Sequence, residues 1–153
     1  MKEEPGSFRD PAGRIFYYEN KILRILNEDG FERYNFIEKN QIIKKAIEKK
    51  FLIKTKLLNE EEKSNINLEK NVAYLEHEKI PYISYPYEWS FNQLKDAAIF
   101  HLDFNLFLLE QNATLIDSSA YNIQFIGSKP IFIDVLSLKE YKEGEAWKGH
   151  KQF

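Results

Sequence analysis

Cysteine is absent from these 153 residues. Disulfides, thiolate-bound zinc and thiol nucleophiles are excluded with it, and the absence fits a reducing compartment. Glycine is scarce and scattered, at positions 6, 13, 30, 127, 144 and 149. A dinucleotide or S-adenosylmethionine fingerprint clusters its glycines so that backbone can approach the ligand at a helix N-terminus, and a P-loop adds Gly-Lys-Ser/Thr. Neither pattern occurs, and the Gly-rich loop of protein kinases is missing too. Basic excess is also lacking. The 22 Lys+Arg against 24 Asp+Glu leave a net charge of −2, which argues against nucleic acid or an anionic membrane as partner, since both select cationic surfaces. No apolar run reaches the roughly 18 residues of a membrane span. The richest segment, Ala97 to Leu109, is broken by His101, Asp103 and Asn105. Met1-Lys2-Glu3-Glu4-Pro5-Gly6 offers no apolar core of a signal peptide, so the expected location is cytoplasmic.

What is present is apolar mass: 43% hydrophobic and 15% aromatic residues, enough for one folded domain or part of a larger one. Residues 1–13 read as an irregular arm with two prolines and two glycines. Arg14 to Tyr18 and Lys21 to Leu26 flank Glu19-Asn20 as a short hairpin. Asp29 followed by Glu32 suggests a capping box for a helix whose apolar stripe runs Phe31, Tyr34, Ile37 and on to Ile42, Ile43, Ala46 and Ile47, interrupted at Asn35 and Asn40. Phe51 to Leu58 is a candidate strand. Asn59 to Glu69 reads as a solvated loop. Two further strands are expected at Val72 to Leu75 and Ile80 to Tyr85, the second confined to an edge by Pro81 and Pro86.

The chemistry-bearing residues lie further on. Ser90-Phe91-Asn92-Gln93 is a capping box, opening a long helix with Phe91, Leu94, Ala98, Leu102, Asn105 and Leu109 on one face. Phe104, Phe107 and Leu108 widen the apolar surface, so burial on more than one side is expected. Asn112 suits the left-handed stop. After an extended piece, Thr114 to Ile116, comes Asp117. Ile123 to Ile126 and Lys129 to Ile133 flank Gly127-Ser128, with Gly in the first loop position of a type II′ turn. If Ile126 pairs with Lys129, Asn122 falls opposite Ile133, and Asp134 emerges beside it. Asp117 enters the same end of the ribbon. Two carboxylates and an amide suit a hard divalent cation, and a third carboxylate nearby would orient or deprotonate a hydroxyl. The bland alternative is that Asp and Asn are common at turns.

Asp117-Ser118-Ser119-Ala120-Tyr121-Asn122 resembles the catalytic loop Asp-x-x-x-x-Asn of the protein-kinase-like fold. Ile131-Phe132-Ile133-Asp134 resembles the strand that ends in its metal-binding Asp. The order of helix, Asp loop, hairpin and Asp is similar to aminoglycoside-phosphotransferase-type kinases. The resemblance implies an α+β, protein-kinase-like (aminoglycoside-phosphotransferase-like) fold: a small lobe and the start of a large lobe. It also implies Asp117 as base or substrate-orienting residue, and Asn122 and Asp134 as Mg²⁺ ligands beside a nucleotide. The pattern departs at Ile116, at Ser119 and at Val135-Leu136, which stands in place of Phe-Gly.

A second resemblance spans nearly the whole chain. It rests on Ser7 to Pro11, Ser84 to Phe91, the Asp117 to Asp134 block, and Gly144-Glu145 with Trp147 and Gln152-Phe153. Together these resemble the N-terminal region of bacterial class I S-adenosylmethionine-dependent methyltransferase-type proteins related to nodulation proteins. The resemblance implies a front half whose methyltransferase domain, with its S-adenosylmethionine site, lies outside this chain. The parts would be an arm (1–13), a small-lobe-like part (14–85), a helix, loop and hairpin (86–143), and a tail (144–153), poorly ordered or docked on a partner chain.

The expected function is thus a kinase-like module that binds nucleotide-Mg²⁺ or another phosphorylated small molecule, with a methyltransferase domain or subunit as partner. The alternatives are a small-molecule kinase fragment and a non-catalytic structural or interaction domain. Lys54 or Lys56 is a candidate phosphate-directed lysine or an exposed strand lysine. Arg9 and Arg24 are candidate anion contacts. Glu88 is placed to favour a helix N-terminus. Trp89 reads as a packing residue, and His101 as a half-buried one. His77, His101 and His150 share no metal-ligand spacing.

Overall fold

The tight Glu19-Asn20 turn organises a sheet. In the structure, a computed structural model, residues 2–5, 12–70 and 72–151 are described, the last two by backbone alone. β2 (Gly13–Tyr18) and β3 (Lys21–Leu26) pair antiparallel, with Tyr18 opposite Lys21, as the sequence implies. β1 (Lys2–Glu3) adds to the edge, Lys2 opposite Tyr17, and Arg14 holds Glu3 at 2.8 Å. The arm expected to be irregular is therefore partly a strand. Residues 6–11, with Arg9 among them, lie outside the described residues.

β5 (Ala73–His77) pairs with the inner side of β3, and β4 (Thr55–Leu57) closes the far edge. The order is β1-β2-β3-β5-β4, antiparallel throughout. Leu23, Leu58 and Tyr74 form its buried centre, with Tyr18, Ile25, Ile66, Leu68 and Val72 packed around them.

Between β4 and β5 the expected loop is a helix, α3 (Glu60–Asn65). Its signal is an Asn-x-x-Glu capping box: Glu62 N donates to Asn59 Oδ1 at 2.8 Å, and Asn59 N donates to Glu62 Oε2 at 3.0 Å. Charge run alone misread the segment. Lys63 is buried there and donates to the carbonyls of Lys70 (2.8 Å) and Val72 (3.0 Å), with Glu60 as its ion-pair partner. Lys63→Met should keep the stem but strand those carbonyls, costing about 1–3 kcal/mol in urea unfolding.

α1 (Glu28–Lys39) starts earlier than Asp29: Asn27 is its cap, accepting Gly30 N–H on Oδ1 at 2.9 Å. Asp29 and Glu28 instead sit in the first turn, where the helix dipole favours acids. The apolar stripe does not continue as one helix. Asn40 turns its amide to the Phe36 carbonyl, Gln41 takes φ 56°, and α2 (Ile42–Glu48) starts afresh. The chain divides into two compact units, Met1–Glu32 with Lys54–Lys79, and Arg33–Ile53 with Ile80–Phe153, with α1 running across the boundary.

α2 ends in a Schellman turn: Phe51 N donates to Ala46 O at 2.8 Å and Lys50 N to Ile47 O at 2.9 Å. Lys50 occupies the left-handed position at φ 61°, where a Cβ is unfavourable. Lys50→Gly should therefore stabilise the protein by about 0.5–1 kcal/mol, read as a higher urea midpoint at unchanged slope.

α4 (Phe91–Glu110) carries the second unit. Both halves of its capping box form: Gln93 N donates to Ser90 Oγ at 3.3 Å and Ser90 N to Gln93 Oε1 at 3.0 Å. Asn112, at φ 54°, ends it as the sequence implies. Phe104 of α4 stacks on Phe51, Phe100 and Phe107 pack tilted against it, and Phe104 also meets Phe132, with ring centroids 5.2–5.8 Å apart. The expected strand at Ile80 to Tyr85 is absent. Pro81 and Pro86 remove two backbone donors, and a 3₁₀ turn occupies Pro86–Glu88. β6 (Ala113–Leu115) pairs with β9 (Leu138–Glu140), a partner the sequence did not reveal.

Candidate functional site

The hairpin forms in the expected register. β7 (Ile123–Ile126) and β8 (Lys129–Phe132) pair with Ile126 opposite Lys129 and Gln124 opposite Ile131. Gly127 takes φ 62°, as the first position of a type II′ turn requires. At the open end, Ile133 N donates to Asn122 O at 2.9 Å. That bond brings the backbone of Asn122 next to the residue before Asp134 at the open end of the ribbon.

The segment leading into Asp117 is tied to the turn after Asp134 through backbone. Ile116 N donates to Ser137 O at 2.6 Å, and Ser137 Oγ donates to Asp134 Oδ2. The residue before Asp117 and the carboxylate of Asp134 thus meet on one short turn, Val135–Ser137. Each acid also shapes its own loop. Asp117 Oδ1 accepts Ser119 N–H at 2.9 Å, and Asp134 Oδ1 accepts Leu136 N–H at 3.2 Å. These are turn-forming bonds of the kind short polar side chains make. Ser119 Oγ in turn accepts Tyr121 N–H at 3.2 Å and caps the 3₁₀ turn Ala120–Asn122.

The ribbon is pinned from its other side. Gln124 takes both backbone groups of Ser84: Ser84 N donates to Oε1 at 3.0 Å, and Nε2 donates to Ser84 O at 2.9 Å. Trp89 donates from Nε1 to Ser84 Oγ at 2.9 Å and packs edge-on against Phe125. It is a packing residue, as expected. The Glu88 carboxylate accepts Tyr85 N–H at 2.8 Å and closes its own 3₁₀ turn, two residues before the Ser90 cap of α4.

Oxygen donors suit a hard cation, and this set supplies two carboxylates and an amide. Asn122 Nδ2 and Ser118 Oγ are buried without a hydrogen-bond partner among the described residues. A buried amide with one idle end can present its oxygen to an ion by turning about its terminal bond. The residues therefore fit Mg²⁺ in chemical type. The ligand set is thin: among the described residues no group of three or more His, Cys, Asp or Glu gathers for a metal. Mg²⁺ accepts such a set when water and phosphate oxygens complete its octahedron.

The other candidates fall elsewhere. Lys54 pairs with Glu78 at 3.8 Å, and Lys56 with Glu62 at 2.7 Å and Glu76 at 3.9 Å. The hydrogen bond to Glu62 raises the Lys56 ammonium and lowers the Glu62 carboxyl. Both lysines are exposed, Lys56 on β4 and Lys54 in the segment before it. Arg24 is buried in β3.

His101 is the residue the sequence undervalued. It is fully buried on α4, not half-buried. Its ring lies 5.9 Å from Trp147. Burial pushes its imidazole below the ordinary range, and the charge of Asp117 opposes that shift. The tail is correspondingly tied down through Trp147, and by Lys139 on Glu145 at 2.6 Å, rather than left loose. Gln152 and Phe153 lie outside the described residues.

A depressed folded pKa makes His101 a proton acceptor mainly in the unfolded chain. Its stabilising contribution is complete above the unfolded value, about 6.5, and is lost as pH falls through the folded value. Unfolding free energy should therefore drop as pH falls below about 6.5, and His101→Gln should flatten that slope. Urea titrations at several pH values check this; an unchanged slope in the variant would contradict the assignment.

No protein-family model matches the chain. Over 150 residues, 97% of its length, it is 42% identical to Nodulation protein NoeA of Rhizobium meliloti (strain 1021). The chain is homologous to part of that nodulation protein and spans 30% of its length. Among the described residues no helix is long and apolar enough to cross a membrane.

Proposed function

We propose that this chain is a kinase-like binding module of a NoeA-related, methyltransferase-type protein. It holds Mg²⁺ with a nucleotide or another phosphorylated small molecule. Asn122 and Asp134 are the metal ligands and Asp117 orients the ligand's hydroxyl. The observation that supports the reading is the hydrogen bond from Ile133 N to Asn122 O, which brings the backbone of Asn122 close in the ribbon to that of Asp134. Bound there, Mg²⁺ would neutralise phosphate charge. The protein's own residues fix the register, hold both acids in turns, and bury the amide. Methyl transfer is assigned to polypeptide outside this chain, because the clustered glycines of an S-adenosylmethionine site are lacking in it.

A second reading is a non-catalytic structural domain. It is favoured by Asp134, whose two carboxylate oxygens already serve Leu136 and Ser137. A small-molecule phosphotransferase is the more demanding version of the first reading, with Asp117 as base.

Thermal denaturation with ATP and MgCl₂ decides between them. A ligand at 100 times its Kd stabilises by about 2.7 kcal/mol. The melting temperature should rise by several degrees, the rise should vanish with EDTA, and Asp134→Asn should lose it while keeping an acceptor for Leu136. Asp117→Asn should keep binding and, if transfer occurs, abolish it. No shift at millimolar Mg²⁺-ATP would leave the structural reading standing.

A further inference from the structure

α4 has an apolar face that nothing among the described residues covers. Phe91 is 79% exposed, Leu106 60%, Ile99 48%, Leu102 47% and Leu94 37%. Spacings of three and four residues put Leu94, Ala98, Leu102 and Leu106 on one side of the helix. The opposite side is the buried one, with Ala97, Phe100, Phe104 and Leu108 in the core. A surface helix ordinarily pairs one apolar stripe with one polar face. α4 has two apolar stripes. Lys95 is the charge set among the exposed leucines, and Asp96, Asp103 and Glu110, seven residues apart, line one flank, all exposed. A contiguous apolar patch with a charged rim marks a docking surface.

The length of NoeA points to the occupant. The 150 matched residues are 30% of that protein, so 100 − 30 = 70% of it lies outside the match. The homologous helix thus exists in a chain with more than twice as much further polypeptide. The geometry points to α4's outer face as the seat of that remaining part of a NoeA-type protein, whose contact surface is apolar with a basic edge facing Asp96, Asp103 and Glu110. This surface is independent of the proposed Mg²⁺ site, and either can fail alone.

The test is a chimera in which these 153 residues replace the matched region of NoeA. Hydroxyl-radical oxidation is read at Phe91, Leu102 and Leu106 in the chimera and in the isolated chain. Because an interface core excludes water, oxidation should slow by at least about fivefold in the chimera. Leu102→Asp with Leu106→Asp should restore the rate at Phe91. The same pair should shift the isolated chain's melting temperature by no more than ~2 °C, as surface changes do. Tyr87→Ser, another exposed position of the same unit, should leave the protection intact.

Equal rates in both proteins would overturn the proposal. So would self-association of the isolated chain that the double substitution abolishes, since a second copy would then be the occupant. Should the chimera fail to fold, sedimentation velocity of the isolated chain with the remainder of NoeA decides. A complex lost in the double variant supports the proposal, and no complex at about 50 µM overturns it.

Discussion

The stack of Phe51, Phe100, Phe104, Phe107 and Phe132 is the constraint on which the second unit rests. Aromatic side chains bury more area than any others, and paired rings add directional preference. Here they fasten α4 to the hairpin. Phe132 ends β8, and its backbone is held on both sides, N–H to Phe51 O and O to Ile53 N, each at 2.9 Å. The register of β8 is therefore not free to slide. A shift of one residue would turn Phe132 outward and carry Asp134 to the opposite face. The position of the candidate ligands is in this sense a packing result.

Around that core, polar side chains do the local work of shaping loops. Asp117, Ser119, Asp134 and Ser137 each bond to a neighbour within a few residues. Gln124 replaces a missing strand partner by satisfying Ser84 on both its groups. Such bonds are worth about 1 kcal/mol each in net stability, but leaving them unmade costs more. Asp134 therefore carries two demands, turn formation and the proposed metal contact. Phosphoryl chemistry depends on positioning and charge, and a carboxylate already held in a turn is positioned before any ion arrives.

α4 links the loop, the tail and the outer surface. His101 on its inner side shares the neighbourhood of Asp117 and meets Trp147. Its outer side presents Phe91, Leu102 and Leu106 to water. Homology to part of a longer nodulation protein gives that outer face a physical context. Apolar side chains exposed in one segment are commonly buried by another segment of the same assembly.

Local rules were legible in the sequence where one residue type has one strong use. The Ser90/Gln93 cap, the Asn112 stop, the Gly127 turn and both hairpin registers follow from backbone sterics and hydrogen-bond chemistry within a few residues. The α+β character followed from these. The misread segments had competing signals. Asn27 outbid Asp29 as cap, a charge run concealed the Asn59/Glu62 box, and prolines with Gln124 displaced a strand from Ile80 to Tyr85. Only the tertiary structure decided the β6–β9 pairing, the burial of His101, and the meeting of Ile116 with Ser137. Those depend on contacts between residues far apart in the chain, for which no local spacing carries a signal, and they are fixed by which apolar surfaces exclude water together.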